Sequence, residues 1–253
     1  MQIGFGFRRF AACAASVVVA GALACAQAPA APPNGEKKKT EAKGPAMDWP
    51  ALGRYHEANL KLAAPAAAEN RVVFMGDSIT DAWGNHFDKY FPGKPYIGRG
   101  ISGQTTPQML IRFRPDVISL GAKVVVILAG TNDIAGNTGP ETPEMIEDNF
   151  ASMVDLAKAN GIRVVLCSIL PVYDYPWKRG LEPAQKIVDL NRWLKEYAAR
   201  SGAVYVDYFA AMADERLGCK AELCYDGVHP TDAGYTVMAP LVEKGIAEAL
   251  EKN

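Results

Sequence analysis

The chain has 253 residues, with 27 basic and 28 acidic side chains and a formal charge of −1. That balance argues against a nucleic-acid binder, which carries a marked basic excess. At 49% hydrophobic and 22% charged residues, the composition is that of a globular domain and not of a disordered or fibrous chain; five cysteines over this length make no disulfide scaffold.

The first 26 residues read as an export signal. Arg8 and Arg9 precede an apolar run, Phe10 to Leu23, that is shorter than the ~20 residues needed to span a bilayer. Small residues at Ala22, Ala24 and Ala26 suit cleavage by a signal peptidase. Leu23-Ala24-Cys25 is similar to a bacterial lipobox, with Ala22 where a leucine is usual. Cys25 is therefore either a lipid-anchored first residue or part of the discarded leader. Residues 27–46 are rich in Ala, Pro, Gly and Lys, include Lys37, Lys38 and Lys39, and cannot bury enough apolar surface to offset ordering entropy. They read as a solvated tether, and the folded unit as residues 47–253.

Within that unit, strand-like and helix-like segments alternate. Leu52, Tyr55 and Leu60 suggest a first helix. Strands are predicted at Arg71 to Met75, Lys94 to Gly98, Val124 to Ala129, Ile162 to Ile169 and Ala203 to Val206. Pro143 to Ala159 reads as a helix stopped by Gly161. Ile187, Leu190, Leu194 and Tyr197 mark another, as do Tyr235, Met238, Leu241, Val242 and Ile246. Such alternation predicts an α/β fold with a parallel sheet covered on both faces, whose ligands sit beyond the C-terminal strand ends.

Four strand-end or turn segments carry chemistry-bearing residues. Gly76-Asp77-Ser78-Ile79-Thr80 puts Ser78 at a helix N-terminus, where it is either a helix cap or a nucleophile near free amides. Gly98, Gly100 and Gly103 let the second strand's exit approach a ligand or form a flexible turn; the lysine and spacing of a phosphate loop are missing. In Gly130-Thr131-Asn132-Asp133, Asn132 either shapes the turn or aims its amide into the cleft. In Asp226-Gly227-Val228-His229-Pro230, the carboxylate can reach the imidazole from the same loop and fix its tautomer. His56 and His86 lack such a partner and read as surface residues. Together these segments hold a nucleophile, a base, an orienting acid and candidate oxyanion donors, as acyl transfer requires.

These four blocks resemble the GDSL, or SGNH, hydrolase family, in the branch of platelet-activating-factor acetylhydrolase-like and lysophospholipase-like esterases. Departures are Ile79-Thr80 in the first block and Gly98 where the family often has Asn. The resemblance implies a flavodoxin-like, three-layer α/β/α sandwich on a five-stranded parallel sheet. It also implies Ser78 as nucleophile, His229 as base and Asp226 as its orienting acid, with Ser78, Gly103 and Asn132 forming the oxyanion hole. No metal or other cofactor is expected, since ligand-type residues do not cluster at metal spacing.

Asp77 and Asp133 are expected to brace loops. Trp83, Tyr173, Tyr175 and Trp177 are expected to wall the substrate cleft, with ordinary packing as the other reading. Cys167 should be buried in a strand, and Cys219 and Cys224, five apart, either pair or remain thiols. The reading that follows is an exported serine esterase acting on short acyl groups, such as O-acetyl groups on a small molecule or polysaccharide, periplasmic or extracellular or lipid-anchored at Cys25. The alternatives are a lysophospholipase- or thioesterase-like lipid acylhydrolase, a non-catalytic carbohydrate-binding module, and a flavin- or nucleotide-binding protein.

Overall fold

Five strands, β1 (Val72–Gly76), β2 (Tyr96–Gly100), β3 (Val124–Leu128), β4 (Arg163–Cys167) and β5 (Val204–Val206), lie in one parallel sheet in the order β2-β1-β3-β4-β5. The computed structural model describes residues 48–252; the expected leader, the tether and Cys25 lie outside the described residues. The helices are α1 (His56–Lys61), α2 (Ser78–Gly84), α3 (Phe87–Tyr90), α4 (Thr106–Asp116), α5 (Thr131–Ile134), α6 (Pro143–Ala159), α7 (Pro183–Ser201), α8 (Tyr208–Met212) and α9 (Asp232–Glu251). This is the three-layer α/β/α architecture expected. The chain leaves β1 toward one edge and returns at β3 on the other side. That reversal opens a crevice at the C-terminal rim, where doubly wound sheets bind ligands.

The two-residue period of the strands divides the core. Val73, Met75, Val125, Ile127, Val164 and Leu166 face α4, α6 and α7 through residues such as Phe113, Phe150 and Leu194. Val72, Phe74, Val124, Val126, Val165 and Val206 face the other layer, with Trp83, Phe87, Met238 and Val242. All five residues of β3 are buried, which is why its sequence is a continuous apolar run and does not alternate. Among the described residues, no helix is long and apolar enough to cross a membrane.

Two elements differ from expectation. Leu52 and Leu60 do not define a packed helix: α1 begins at His56, buries no residue, and leaves both leucines exposed. The segment before it is held by polar contacts. Asp48 accepts bonds from Leu52 N and Gly53 N, while Gln104 and Gln108 donate to the Pro50 and Trp49 carbonyls. The second strand begins two residues later than expected, because Pro95 has no N–H to give the ladder and offers only its carbonyl, to Val72 N.

The glycines of β2 serve packing and not a ligand. Gly98 lies against Gly84 of α2, and a Cβ at Gly100 would stand 2.0 Å from Asp81 N and 2.7 Å from Asp77 O. Both obstacles are backbone, so only separation of α2 from β2 would relieve the clash. Overpacking costs about 1–3 kcal/mol where side chains can adjust, and more where they cannot. Gly100→Ala is expected to lose about 3 kcal/mol or more in urea unfolding; a loss under about 1 kcal/mol would show that α2 does not need this close approach.

Candidate active site

The sharp exit from β1 is made by Asp77, not Ser78. Asp77 caps α2 by accepting the Ile79 amide at 3.0 Å, which leaves Ser78, the first helical residue, free to present its hydroxyl. Ser78 Oγ lies 2.9 Å from His229 Nε2, and His229 Nδ1 lies 2.7 Å from Asp226 Oδ2. The other Asp226 oxygen accepts the Val228 and His229 amides at 2.9 and 2.8 Å. Partial burial opposes the charge on Asp226. Hydrogen bonds from the His229 amide, the His229 ring and the Val228 amide outweigh it and hold the carboxyl below its ordinary value. An acceptor at Nδ1 fixes the proton there and leaves the Nε2 lone pair facing the serine hydroxyl.

The loop carrying this pair is stapled on both sides. Tyr225 N donates to the His229 carbonyl, Gly227 turns the chain at φ 83°, and a Cys219–Cys224 disulfide closes the segment just before it. Cys167 is free and buried in β4, as expected.

Ser78 and His229 open onto a cleft of about 620 Å³ that is also lined by Gly103, Asn132, Asn137, Asp81, Asn85, Ser102, Trp177 and Tyr225. Gly103 has φ 79°, a left-handed backbone that demands glycine in the loop after β2. Asn132, buried at the start of α5, donates from Nδ2 to the Gln104 carbonyl at 3.0 Å. The next residue, Asp133, ties the end of β3 to the start of α4 by accepting the Thr106 amide at 2.8 Å; burial, with Glu141 nearby, raises its carboxyl despite the Thr106 bonds.

The four expected aromatics separate. Only Trp177 lines the cleft, its ring centroid 6.1 Å from that of His229. Trp83 does not wall the site: it is 1% exposed and stacks on Tyr235 at 5.2 Å among Phe74, Phe87 and Phe91, because α2 turns it toward the sheet. Tyr175 is also removed from substrate, fully buried with its hydroxyl donating to the Thr131 carbonyl at 2.8 Å. Tyr173 is exposed, but under the Arg216 guanidinium and beside a separate hollow with Asp174 and Leu217. His56 and His86 are exposed and are not among the residues lining this cleft.

Three participants carry no sequence signal strong enough to single them out. Tyr225 lies nearly parallel to the His229 ring at 5.7 Å, and its position directly before Asp226 was the available clue. Asn137 reaches Asn132 from five residues on. Arg112 sits mid-helix, where an arginine usually faces solvent, yet it is fully buried behind the glycine loop. Among the described residues, no cluster of three His, Cys, Asp or Glu side chains could hold a metal.

A hydroxyl, imidazole and carboxylate in series at the rim of a parallel sheet, beside a buried amide, is the equipment of an acyl-transferring hydrolase. The profile of the GDSL-like lipase/acylhydrolase family matches residues 74–237, and the chain belongs to that family. It is a hydrolase acting on carboxylic esters. A candidate acylhydrolase of Bacteroides fragilis is 45% identical over 81% of this chain and 99% of its own, with a TM-score of 0.78. A GDSL-like lipase of Bacteroides thetaiotaomicron is 44% identical over 80% of this chain and all of its own, with a TM-score of 0.77. An acetylxylan esterase of Geobacillus stearothermophilus is 27% identical over 199 residues, 67% of this chain and 90% of that one.

The cap at Asp77 has a pH signature. Burial pushes its carboxyl up to about 6, against the Ile79 bond and the nearby His229. An unfolded aspartate titrates near ~3.9. Between those values the folded chain keeps a proton that the unfolded chain releases, so stability falls as pH rises through the window. Asp77→Asn keeps the cap acceptor and removes the titration. It is expected to gain about 2 kcal/mol relative to the native chain between pH 4 and pH 7, read from urea midpoints at both; a difference independent of pH would sink the assignment.

Proposed function

We propose that the chain is an exported serine esterase in which Ser78, His229 and Asp226 form the catalytic triad. The carrying observation is the continuous series of contacts, 2.9 Å from Ser78 Oγ to His229 Nε2 and 2.7 Å from Nδ1 to Asp226. His229 takes the serine proton as Oγ attacks the ester carbonyl, and Asp226 stabilises the imidazolium that forms. The oxyanion is met by the Ser78 and Gly103 amides and the Asn132 side-chain amide. His229 then delivers its proton to the leaving alcohol, and water repeats the sequence on the acyl-enzyme.

The substrate proposed is a short acyl ester of a carbohydrate, foremost an O-acetyl group. Asp81, Asn85, Ser102 and Asn137 make one side of the cleft polar, which suits hydroxyl groups better than a long acyl chain. Trp177 and Tyr225, 46% and 71% exposed, flank the imidazole where the alcohol leaves, and such rings suit stacking on a sugar. The likeness to an acetylxylan esterase supports the same choice. The export signal read at residues 1–26 and the Cys219–Cys224 disulfide support an oxidising compartment outside the cytoplasm, with lipidation of Cys25 the proposed means of any membrane attachment.

Ser78→Ala is expected to lower kcat by roughly 10⁴-fold or more and to abolish labelling by a serine-directed phosphonate. Turnover by that variant at the native rate would refute the triad.

The substrate is tested separately. Trp177→Ala and Tyr225→Ala should each raise KM about 3- to 10-fold for acetylated xylo-oligosaccharide and leave ethyl acetate nearly unchanged, as ~0.5–1.5 kcal/mol per ring contact implies. Equal loss on both esters, or a p-nitrophenyl ester series favouring long chains, would overturn the carbohydrate assignment in favour of a lipid acylhydrolase.

A further inference from the structure

The side chain of Asn137 touches both oxyanion-side elements at once. Its Nδ2 donates to Asn132 Oδ1 at 2.8 Å and to the Gly103 carbonyl at 3.2 Å. Asn132 in turn spends one Nδ2 hydrogen on the Gln104 carbonyl, so its second hydrogen is the one left for the cleft it lines with Ser78 and His229. The orientation of that amide decides its chemistry. One way round, it offers an N–H to a developing oxyanion; flipped, it offers a carbonyl oxygen and repels the same charge.

We propose that Asn137 is a positioning residue that locks the Asn132 amide in its donor orientation and ties it to the Gly103 loop. The inference rests on the serine-esterase reading given above. A flipped Asn132 would set its carbonyl oxygen against the Gln104 carbonyl and its NH2 group against that of Asn137. Two mismatches replace two hydrogen bonds, so the flip is disfavoured from both sides. Donation into Asn132 Oδ1 also polarises the amide and makes its remaining N–H a better donor, as successive hydrogen bonds strengthen one another.

The Asn137 side chain is not needed to hold its own turn. That turn is closed by backbone bonds, from Asn137 N to the Asn132 carbonyl at 3.0 Å and from Gly136 N to the Asp133 carbonyl at 2.8 Å. Gly136 and Gly139 supply the left-handed corners, and Lys178 Nζ caps the Ala135 carbonyl at 2.6 Å. The amide of Asn137 is thereby free to act on its neighbours across the cleft floor.

The test measures ester hydrolysis by the native chain, Asn137→Ala, Asn137→Asp, Asn132→Ala and the Asn132→Ala/Asn137→Ala double variant, with melting temperatures beside them. Asn137→Ala is expected to lower kcat about 10- to 100-fold, less than the ~10²–10³-fold cost of deleting an oxyanion donor, with KM changed by no more than about 3-fold. Asn137→Asp should lose more, because its carboxylate repels both oxygens that Asn137 binds. On the Asn132→Ala background, the Asn137→Ala effect should vanish, since a residue acting through another shows no effect once that other is gone. Native kcat in Asn137→Ala, a loss confined to KM, or a loss undiminished in the double variant would each overturn the proposal. If Asn137→Ala does not fold, the comparison is made with Asn137→Asp on the same two backgrounds. Full activity of Asn132→Ala would instead bring down the oxyanion assignment itself, which separates the two failures.

Discussion

Arg112 is the tie on which the rim of the sheet depends. It is fully buried, and its guanidinium donates to the Gly76 carbonyl at 2.9 Å, the Arg99 carbonyl at 2.8 Å, the Gln104 side-chain oxygen and Asp116 at 3.1 Å. Besides Asp116 at the end of its own helix, those partners are the end of β1 two residues before Ser78, the end of β2, and the loop whose backbone accepts the Asn132 amide. A buried charge is tolerable only when its donors are filled, and breaking such a pair typically costs ~3–5 kcal/mol. The same requirement that keeps the guanidinium satisfied fixes three chain segments relative to one another. The site therefore rests on a polar clamp beneath it as much as on the apolar core.

The N-terminal segment extends that clamp. Gln104 receives the Arg112 bond through its oxygen and passes a bond from its amide to the Pro50 carbonyl at 2.8 Å. Tyr55 donates to the Gly100 carbonyl, and Arg54 approaches Asp81 at 3.5 Å on the cleft rim, where Ser102 also donates to Asp81. The glycine loop is thus held from behind by a helix and from outside by the chain that enters the domain. Rigidity of this kind suits the proposed oxyanion hole, whose donors must be in place before charge develops, since reorganisation during the reaction would cancel their effect.

The Asp226–His229 pair arrives by a different route. Asp226 and His229 lie on a short loop far along the chain, shaped by its own hydrogen bonds, a disulfide and a left-handed glycine. Because the carboxylate and imidazole share one turn, their relation is local; only their meeting with Ser78 depends on how α9 and the loop before it dock. Tyr235 of α9 stacks on Trp83 of α2 and donates its hydroxyl to the Ile79 carbonyl at 2.9 Å, which brings the Asp226–His229 loop and Ser78 to the same edge.

Local patterns carried most of the architecture. Buried strands of a parallel sheet must be apolar on both faces, so β1, β3 and β4 stood out, and α6 was bounded by Pro143 and a glycine stop. The Ser78, Asn132 and Asp226–His229 segments were visible because each follows a strand or sits in a turn with its partner a few residues away. What escaped were relations between distant surfaces. Trp83 and Tyr175 have the same composition as a cleft wall, yet helix rotation buries them; Gly98 and Gly100 look like a ligand loop, yet they seat α2 on β2; Arg112 and Asn137 look like solvent-facing residues. Periodicity and short spacing encode which faces are apolar and which groups share a turn. Which side chain meets which across the sheet depends on docking distances and rotations that arise when whole elements pack, and those decided who lines the cleft.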